Sequence, residues 1–274
     1  MLGGQLKVEA PALQGELDSA MDLGLAMAIS AAVAVAAWRL RALSVDGAIA
    51  ATAIGAAILT PLGWAGLAVL GTFFGSSTLV SRLATIARDA GREADRETRD
   101  ARQVLANGGV AALGALAEFR TPGLGLWLVT IGLAAAGGDT WATALGSLSP
   151  RPPRDLLTWR QVRAGQSGGV TWFGSSGGLL GAALVGLAAS AVGGSGRLFL
   201  TAALTGAGAM LIDSGLGSAL QARFRCESCG EDTEQRRHRC GSATIPTRGI
   251  RWIDNDTVNA MASGCAVAAG LLLW

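Results

Sequence analysis

Two carboxylates interrupt apolar runs that would otherwise be uniform. Asp139 sits in AAAGGDTWATALG and Asp213 in MLIDSGLGSALQ. An ionisable group inside a membrane span costs about 2.5–3.5 kcal/mol even on the lenient insertion scale, so each is a functional group by default. Both stand about two helical turns from an arginine-rich loop, roughly 10 Å deep on an ideal helical rise. Further polar groups gather at that level. Asp254, Asn255, Asp256 and Asn259 open the last apolar segment as WIDNDTVN, Asn107-Gly108-Gly109 opens another, and Asp46 begins a third. Gly165-Gln166-Ser167-Gly168-Gly169 precedes a fourth. Taken singly, Asp256 could be a helix cap, Asn259 an interhelical hydrogen bond and Gly168-Gly169 a turn. Taken together, carboxylates and amides from five elements at one depth indicate a site.

The chemistry of that set is anionic and metal-assisted. Asp139, Asp213 and Asp256 repel one another and would hold a divalent cation; oxygen ligands favour Mg²⁺, usually shared with phosphates. A glycine turn at a helix start presents N–H groups to an anion, and arginines in the adjacent loops add bidentate donors. The expected ligand is a phosphorylated molecule at the water–lipid boundary. Charge alone does not separate a lipid phosphate from a nucleotide, or an enzyme from a transporter. The single lysine, Lys7, excludes a phosphate-binding loop of the G-x-x-x-x-G-K-[ST] type and lysine-based kinase signatures. The single histidine excludes multi-histidine hydrolase sites. No nucleic-acid partner is expected.

The elements that must position these groups are membrane helices. Half of the 274 residues are hydrophobic and 15% are charged, with the charges confined to a few blocks. Apolar stretches between the blocks have the length of a bilayer span. Candidate helices fall at 22–40, 45–60, 62–80, 103–119, 124–147, 170–192, 197–220 and 256–273. The expected fold is therefore an all-α polytopic transmembrane bundle of about eight spans. Pro61 leaves almost no connection between the second and third, which could form a tight hairpin or a re-entrant pair. Residues 1–21 read as a polar amino-terminal segment without a cleaved targeting sequence. Residues 22–274 read as one transmembrane domain with loops 81–102, 148–169 and 221–255. All basic residues except Lys7, Arg120 and Arg197 fall in loops on one side. The positive-inside rule makes that side cytoplasmic and puts both termini outside, as in a prokaryotic inner or plasma membrane. The mixed charges of 82–102, including Asp95 and Arg99, read as a solvated helical extension with (i, i+4) pairs. Gly174, Gly177, Gly178 and Gly181 give one helix overlapping small-residue pairs for close packing in lipid.

Cys226-x-x-Cys229 and His238-x-Cys240 place four soft or borderline ligands on one inside loop. They could bind Zn²⁺ tetrahedrally, as a structural site with no open position, or remain free thiols. Cys265 reads as core filler.

Four segments carry a resemblance: RDARQVLANGGVAAL, GGDTWATALGSLSPRPPRDLLTWRQVRAGQSGGVTWFG, DSGLGSALQARFRCESCG and GIRWIDNDTVNAMAS. From about residue 40 onward, the chain resembles the integral-membrane family that includes plant phytyl-phosphate kinase. The resemblance implies transfer of a phosphoryl group from CTP or another nucleoside triphosphate to an isoprenoid monophosphate, giving the diphosphate. It places Asp139, Thr140, Gly168, Gly169, Asp213, Asn255, Asp256 and Asn259 at the family's motif positions. Thr143-Ala144 stands where the family pattern has Ser-Glu, and Gly165-Gln166-Ser167-Gly168-Gly169 where it has Gly-Thr-Asn-Gly-Gly. Two other readings use the same groups. One is a CTP-dependent nucleotidyltransferase acting on a lipid phosphate, and the other is a carrier that binds a lipid or phosphate without chemistry.

Overall fold

Apolar runs of this composition become helices because a helix satisfies its backbone hydrogen bonds within one segment. The computed structural model describes residues 20–88 and 98–274; the polar segment 1–19 and the charged stretch 89–97, with Asp95, lie outside the described residues. Helix α1 (Leu23–Arg39) is capped by Asp22, whose carboxylate accepts the N–H groups of Gly24 and Leu25. Helix α2 (Val45–Arg88) is followed by α3 (Ala101–Ala115), which ends in a 3₁₀ turn (Leu116–Phe119). Helices α4 (Leu124–Gly146), α5 (Trp172–Ala191), α6 (Gly196–Ala219) and α7 (Asn255–Leu272) complete the helical set. The cap of α7 is Asp254, which accepts the Thr257 N–H at 3.0 Å, so Asp256 is not needed for that role.

Helix α2 resolves the question left open at Pro61. Its backbone breaks at Gly63 (φ 52, ψ −133), a conformation that a residue with a Cβ rarely adopts. Two arms diverge from that point and return to the same level. The Arg99 carbonyl accepts the Ser44 N–H at 3.1 Å, while the Arg99 guanidinium lies 3.4 Å from Thr78 Oγ1 on the second arm. The element is thus a tight helical hairpin, with its second arm running on to Arg88 rather than ending near residue 80.

Helix α4 is the axis of the fold and packs against α2, α3, α5, α6 and α7. Its residues from Trp127 to Gly138 are buried without a break, as expected of a helix apolar on every face. Small residues set the crossings. A Cβ on Gly138 would lie 3.2 Å from the carbonyl oxygens of both Gly178 and Gly206, so α5 and α6 can approach only a glycine. Gly174, Gly177, Gly178 and Gly181 all turn toward α4, as their spacing suggests.

The expectation of an all-α chain is corrected in two loops. Strands β1 (Arg154–Asp155) and β2 (Gly169–Val170) pair antiparallel. Strands β3 (Arg223–Cys226), β4 (Asp232–Thr233) and β5 (Thr244–Arg248) form a small antiparallel sheet in the order β4-β3-β5. The physical reason is alternation: Phe224 and Cys226 turn inward while Arg225 between them faces out, a period-two pattern too short to stand out from a charged loop.

Among the described residues three helices, α2, α5 and α6, are long and apolar enough to cross a membrane, and α1 is a shorter apolar helix. Leucines such as Leu180, Leu187, Leu200 and Leu204 are exposed along α5 and α6, as a lipid-facing surface requires. Cys265, read as filler, lies on the exposed face of α7. The opposite end from the arginines is tied by Arg197, which donates to the Leu273 carbonyl and stacks 5.3 Å over Trp127. Glu118 accepts the N–H groups of Gly123, Gly125 and Leu126 and so caps α4.

Candidate functional site

Asp139 on α4 and Asp213 on α6 line the same small cavity. Asn107 from α3 and Asn259 and Ser263 from α7 join them, and alanines 135, 136, 209 and 262 leave the space. The cavity is about 10 Å³, room for about one water molecule. Its contacts are incomplete. Asn259 Nδ2 reaches Asn107 Oδ1 at 3.4 Å, while Asp213 Oδ2 and Asn259 Oδ1 are buried with no hydrogen-bond partner among the described residues. Buried acceptors of this kind are costly unless a donor or cation meets them. The lining holds two carboxylates and two amides, with no basic side chain, a donor set that fits a hard divalent cation such as Mg²⁺.

Other residues expected at the site stand elsewhere. Asp256 does not line the cavity. It lies on the same face of α7 as Asn259 and Ser263, one turn nearer the arginine-rich end, with Arg102 Nε 3.7 Å away. Arg102 pairs more closely with Asp254, at 2.5 Å. Burial works against the charged form of Asp254, but the Thr257 N–H and hydroxyl, and then Arg102, outweigh it and hold its carboxyl below the usual range. Asn255, the first residue of α7, is exposed. Thr140 adjoins Asp139, but its hydroxyl donates to the Ala136 carbonyl at 2.9 Å on its own helix. Asp46 accepts the Ala101 N–H at 3.1 Å and ties the start of α2 to α3.

The glycine turn is not brought to the cavity either. Gly168 (φ 85) presses on α6, where a Cβ would stand 2.7 Å from Ser218 Cβ. The Gly169 N–H donates to the Gln166 carbonyl at 3.1 Å inside the turn, and α5 starts beyond it with Thr171 as its cap. Ala144 packs with Val80 and Ala84 of α2 in a separate apolar cluster.

Several contributors carry little or no signal in the sequence. Ser263 is one more small residue in an Ala/Gly-rich helix, though its place one turn after Asn259 extends the polar stripe. Asp155 is buried and accepts from Ser218 Oγ at 2.7 Å and from Thr158 and Leu157 N–H groups, pinning β1 to α6. Burial opposes its charge, yet these donors hold its carboxyl below the usual range.

An apolar groove adjoins the polar cavity. It measures about 100 Å³ and runs between α1, the two arms of α2 and α3, with Ile54, Leu59, Leu70 and Phe74 among its walls. Asn107 lines both spaces, and Arg99 lies at the groove's arginine-rich end. In the 221–255 loop, the side chains of Cys226, Cys229, His238 and Cys240 converge, with their ligand atoms within 4.8 Å of one another. The His238 hydrogen bond, helped by Ser242, draws the Cys240 thiol down to about 6.

These features define a class: a helical membrane protein with a carboxylate-bearing pocket enclosed by four helices at one end of the bundle. The chain belongs to the integral membrane protein family DUF92, whose model matches residues 28–267. It is 30% identical over 205 residues to the uncharacterized membrane protein MJ0933 of Methanocaldococcus jannaschii, covering 75% of this chain and 86% of that one. It is 29% identical over 272 residues to Protein PGR of Arabidopsis thaliana, covering 85% of this chain and 90% of the relative. No solved structure matches the chain.

Proposed function

We propose that the protein is an isoprenoid monophosphate kinase, transferring a phosphoryl group from CTP or a related nucleoside triphosphate to a prenyl phosphate of phytyl or geranylgeranyl type. The observation that carries this reading is the pairing of Asp139 and Asp213 around one cavity that shares Asn107 with an apolar groove. A carboxylate pocket for phosphate-bound metal beside a slot for hydrocarbon matches an amphiphile with a phosphate head. The four motif segments support the same class of reaction.

In this reading the prenyl chain lies along the α1–α2–α3 groove and its head group points toward Arg99 and Arg102. Asp139 and Asp213 would hold Mg²⁺, which would supply neutralising charge for the donor phosphates. Asn107 and Asn259 orient phosphate oxygens, and the arginines offset charge that develops on transfer. An oxygen of the prenyl phosphate forms the new P–O bond to the terminal phosphorus of the donor, and the bond to the nucleoside diphosphate breaks. The acceptor's second pKa is about 6, so it is ionised at neutral pH and needs alignment more than a general base. Asp256 and Arg102 stand at the mouth, where they would guide the nucleotide. The Gly165–Gly169 turn would act through its packing on α6.

The same reading sets the membrane placement. Counting the arms of α2 separately makes about eight spans, with the arginine-rich end cytoplasmic. Met21, bonded to Thr60 at the hairpin tip, and Trp274, beside Arg197, stand at the other end.

The test is phosphoryl transfer by detergent-purified protein with Mg²⁺, labelled CTP or ATP, and phytyl or geranylgeranyl monophosphate. Prenyl diphosphate and nucleoside diphosphate are expected, with product lost in Asp139→Ala. A nucleotide-linked lipid with pyrophosphate would replace the proposal with nucleotidyl transfer. Nucleotide-independent movement of prenyl phosphate in proteoliposomes, without turnover, would replace it with a carrier.

A further inference from the structure

The cysteine loop is built as two matching turns. In Cys226-Glu227-Ser228-Cys229-Gly230, the Gly230 N–H returns to the Cys226 carbonyl at 3.0 Å; in His238-Arg239-Cys240-Gly241, the Gly241 N–H returns to the His238 carbonyl at 2.8 Å. Both glycines have positive φ, 70 and 85, which turns the chain away just after the second ligand of each pair. The Ser228 and Ser242 hydroxyls bond at 2.7 Å and hold the turns together.

The side chains of these turns have a metal-site geometry. His238 Nδ1 lies 3.1 Å from Cys240 Sγ and 3.4 Å from Cys229 Sγ, and Cys226 Sγ lies 3.5 Å from Cys240 Sγ. A tetrahedral Zn²⁺ with ordinary bond lengths sets S···S edges of about 3.8 Å and S···N edges of about 3.5 Å. The other ring nitrogen, Nε2, faces Glu231 Oε2 at 3.3 Å. A carboxylate on the far side of a ligating histidine is the usual outer-shell partner of such a ligand, fixing its tautomer. Cys226 and His238 are buried, so two of the ligands are already withdrawn from water.

The loop is also joined to the glycine turn. Glu234, between the two ligand pairs, accepts the Ser167 N–H at 2.9 Å, the Ser167 hydroxyl at 2.7 Å and Gln221 Nε2 at 2.8 Å. Arg223, at the start of β3, donates to the Ser167 carbonyl at 2.9 Å. The Gly168 that follows is the residue pressed on Ser218 of α6, the helix that carries Asp213.

We propose that Cys226, Cys229, His238 Nδ1 and Cys240 bind one structural Zn²⁺ ion, and that this ion holds the 165–169 turn against α6 through Glu234. Four filled positions leave none for a substrate or water, so the ion closes the 226–240 loop and does no chemistry. Without it, a short three-stranded sheet with little core of its own must hold Glu234 unaided. The proposal is independent of the kinase reading, and neither measurement below depends on turnover.

The experiment uses the full chain purified in detergent after growth with added zinc. Metal content should be about one Zn²⁺ per chain, falling to background in the Cys229→Ser/Cys240→Ser double variant. Amide hydrogen exchange at 165–170 should accelerate at least about tenfold when a chelator strips the wild-type protein, and recover on adding Zn²⁺. Glu234→Ala should keep its zinc yet exchange fast at the same amides. Zinc at background level in the wild-type protein overturns the site. Zinc present, with exchange at Ser167 unchanged by its removal, overturns the link to the turn. Reversible stripping of the wild-type chain keeps the test sound if the cysteine variant fails to fold.

Discussion

Gly71 offers a way to fill the apolar groove without disturbing the bundle. It lies on the second arm of α2 and lines the groove, and a Cβ added there meets no atom within 4 Å. Leucine in place of glycine inside a helix also gains about 0.5–0.8 kcal/mol of intrinsic propensity. Gly71→Leu should therefore fold at least as well as the parent. Its four side-chain carbons enter a space of about 100 Å³ and displace about four methylenes of a bound chain. At about 0.8 kcal/mol for each buried methylene, the loss is about 3 kcal/mol, or 100- to 200-fold in affinity. The assay is KM for geranylgeranyl monophosphate against a five-carbon prenyl monophosphate, at saturating nucleotide. KM for the long substrate should rise about 100-fold while the short one is unaffected, because only the long tail needs the filled space. Equal losses on both substrates, or no loss on the long one in a well-folded variant, would refute the placement of the chain in this groove.

Other outcomes follow from the same contacts. Asp139→Asn and Asp213→Asn should each lower kcat by at least about 10²–10³ while melting no earlier than the parent, since each removes a carboxylate from a buried cavity; retained turnover in either would dissociate the cavity from the chemistry. Ala144→Glu restores the family-type glutamate but buries it against Val80 and Ala84. It should lower the melting temperature and leave turnover no higher, and a clear gain in activity would show that this face of α4 reaches the substrate. Asp155 supplies a pH dependence. Its folded pKa lies below its unfolded value of about 3.9, so its contribution is complete above that pH and is lost as pH falls through the folded value. Asp155→Asn should cost about 1–3 kcal/mol near neutrality and make unfolding less sensitive to acid below about pH 4 than in the parent, as followed by denaturation at fixed ionic strength; unchanged acid sensitivity would contradict this role.

Depth along the bundle was readable in the residues themselves. A carboxylate in an apolar run is conspicuous, and the distance from Asp139 or Asp213 to the nearest arginine block converts to depth through the helical rise. Asn107 and Asn259 were legible for the same reason. So was the bend at Pro61, since proline and the nearby glycine leave few ways to continue. The cysteine and histidine spacing pointed to a shared site because ligands two or three residues apart can converge without help from the rest of the chain.

Rotation about each helix axis was not readable, and it decided the site. Asp256 and Ser263 flank Asn259 on one stripe, yet only Ser263 reaches the cavity, because the start of α7 engages Arg102 instead. The azimuth of α4 is set where Gly138 meets Gly178 and Gly206, and that packing turns Asp139 inward and Ala144 toward α2. Glu234 shows no signal in its own segment, and the motif around Ser167 does not point to a partner; their pairing exists because the cysteine loop folds back over the end of α6. Local chemistry and helical rise are properties of short stretches of chain, so the amino-acid sequence alone determined which residues are unusual and how deep they lie. Which of them face one another depends on packing between distant helices, and only the tertiary structure could decide that.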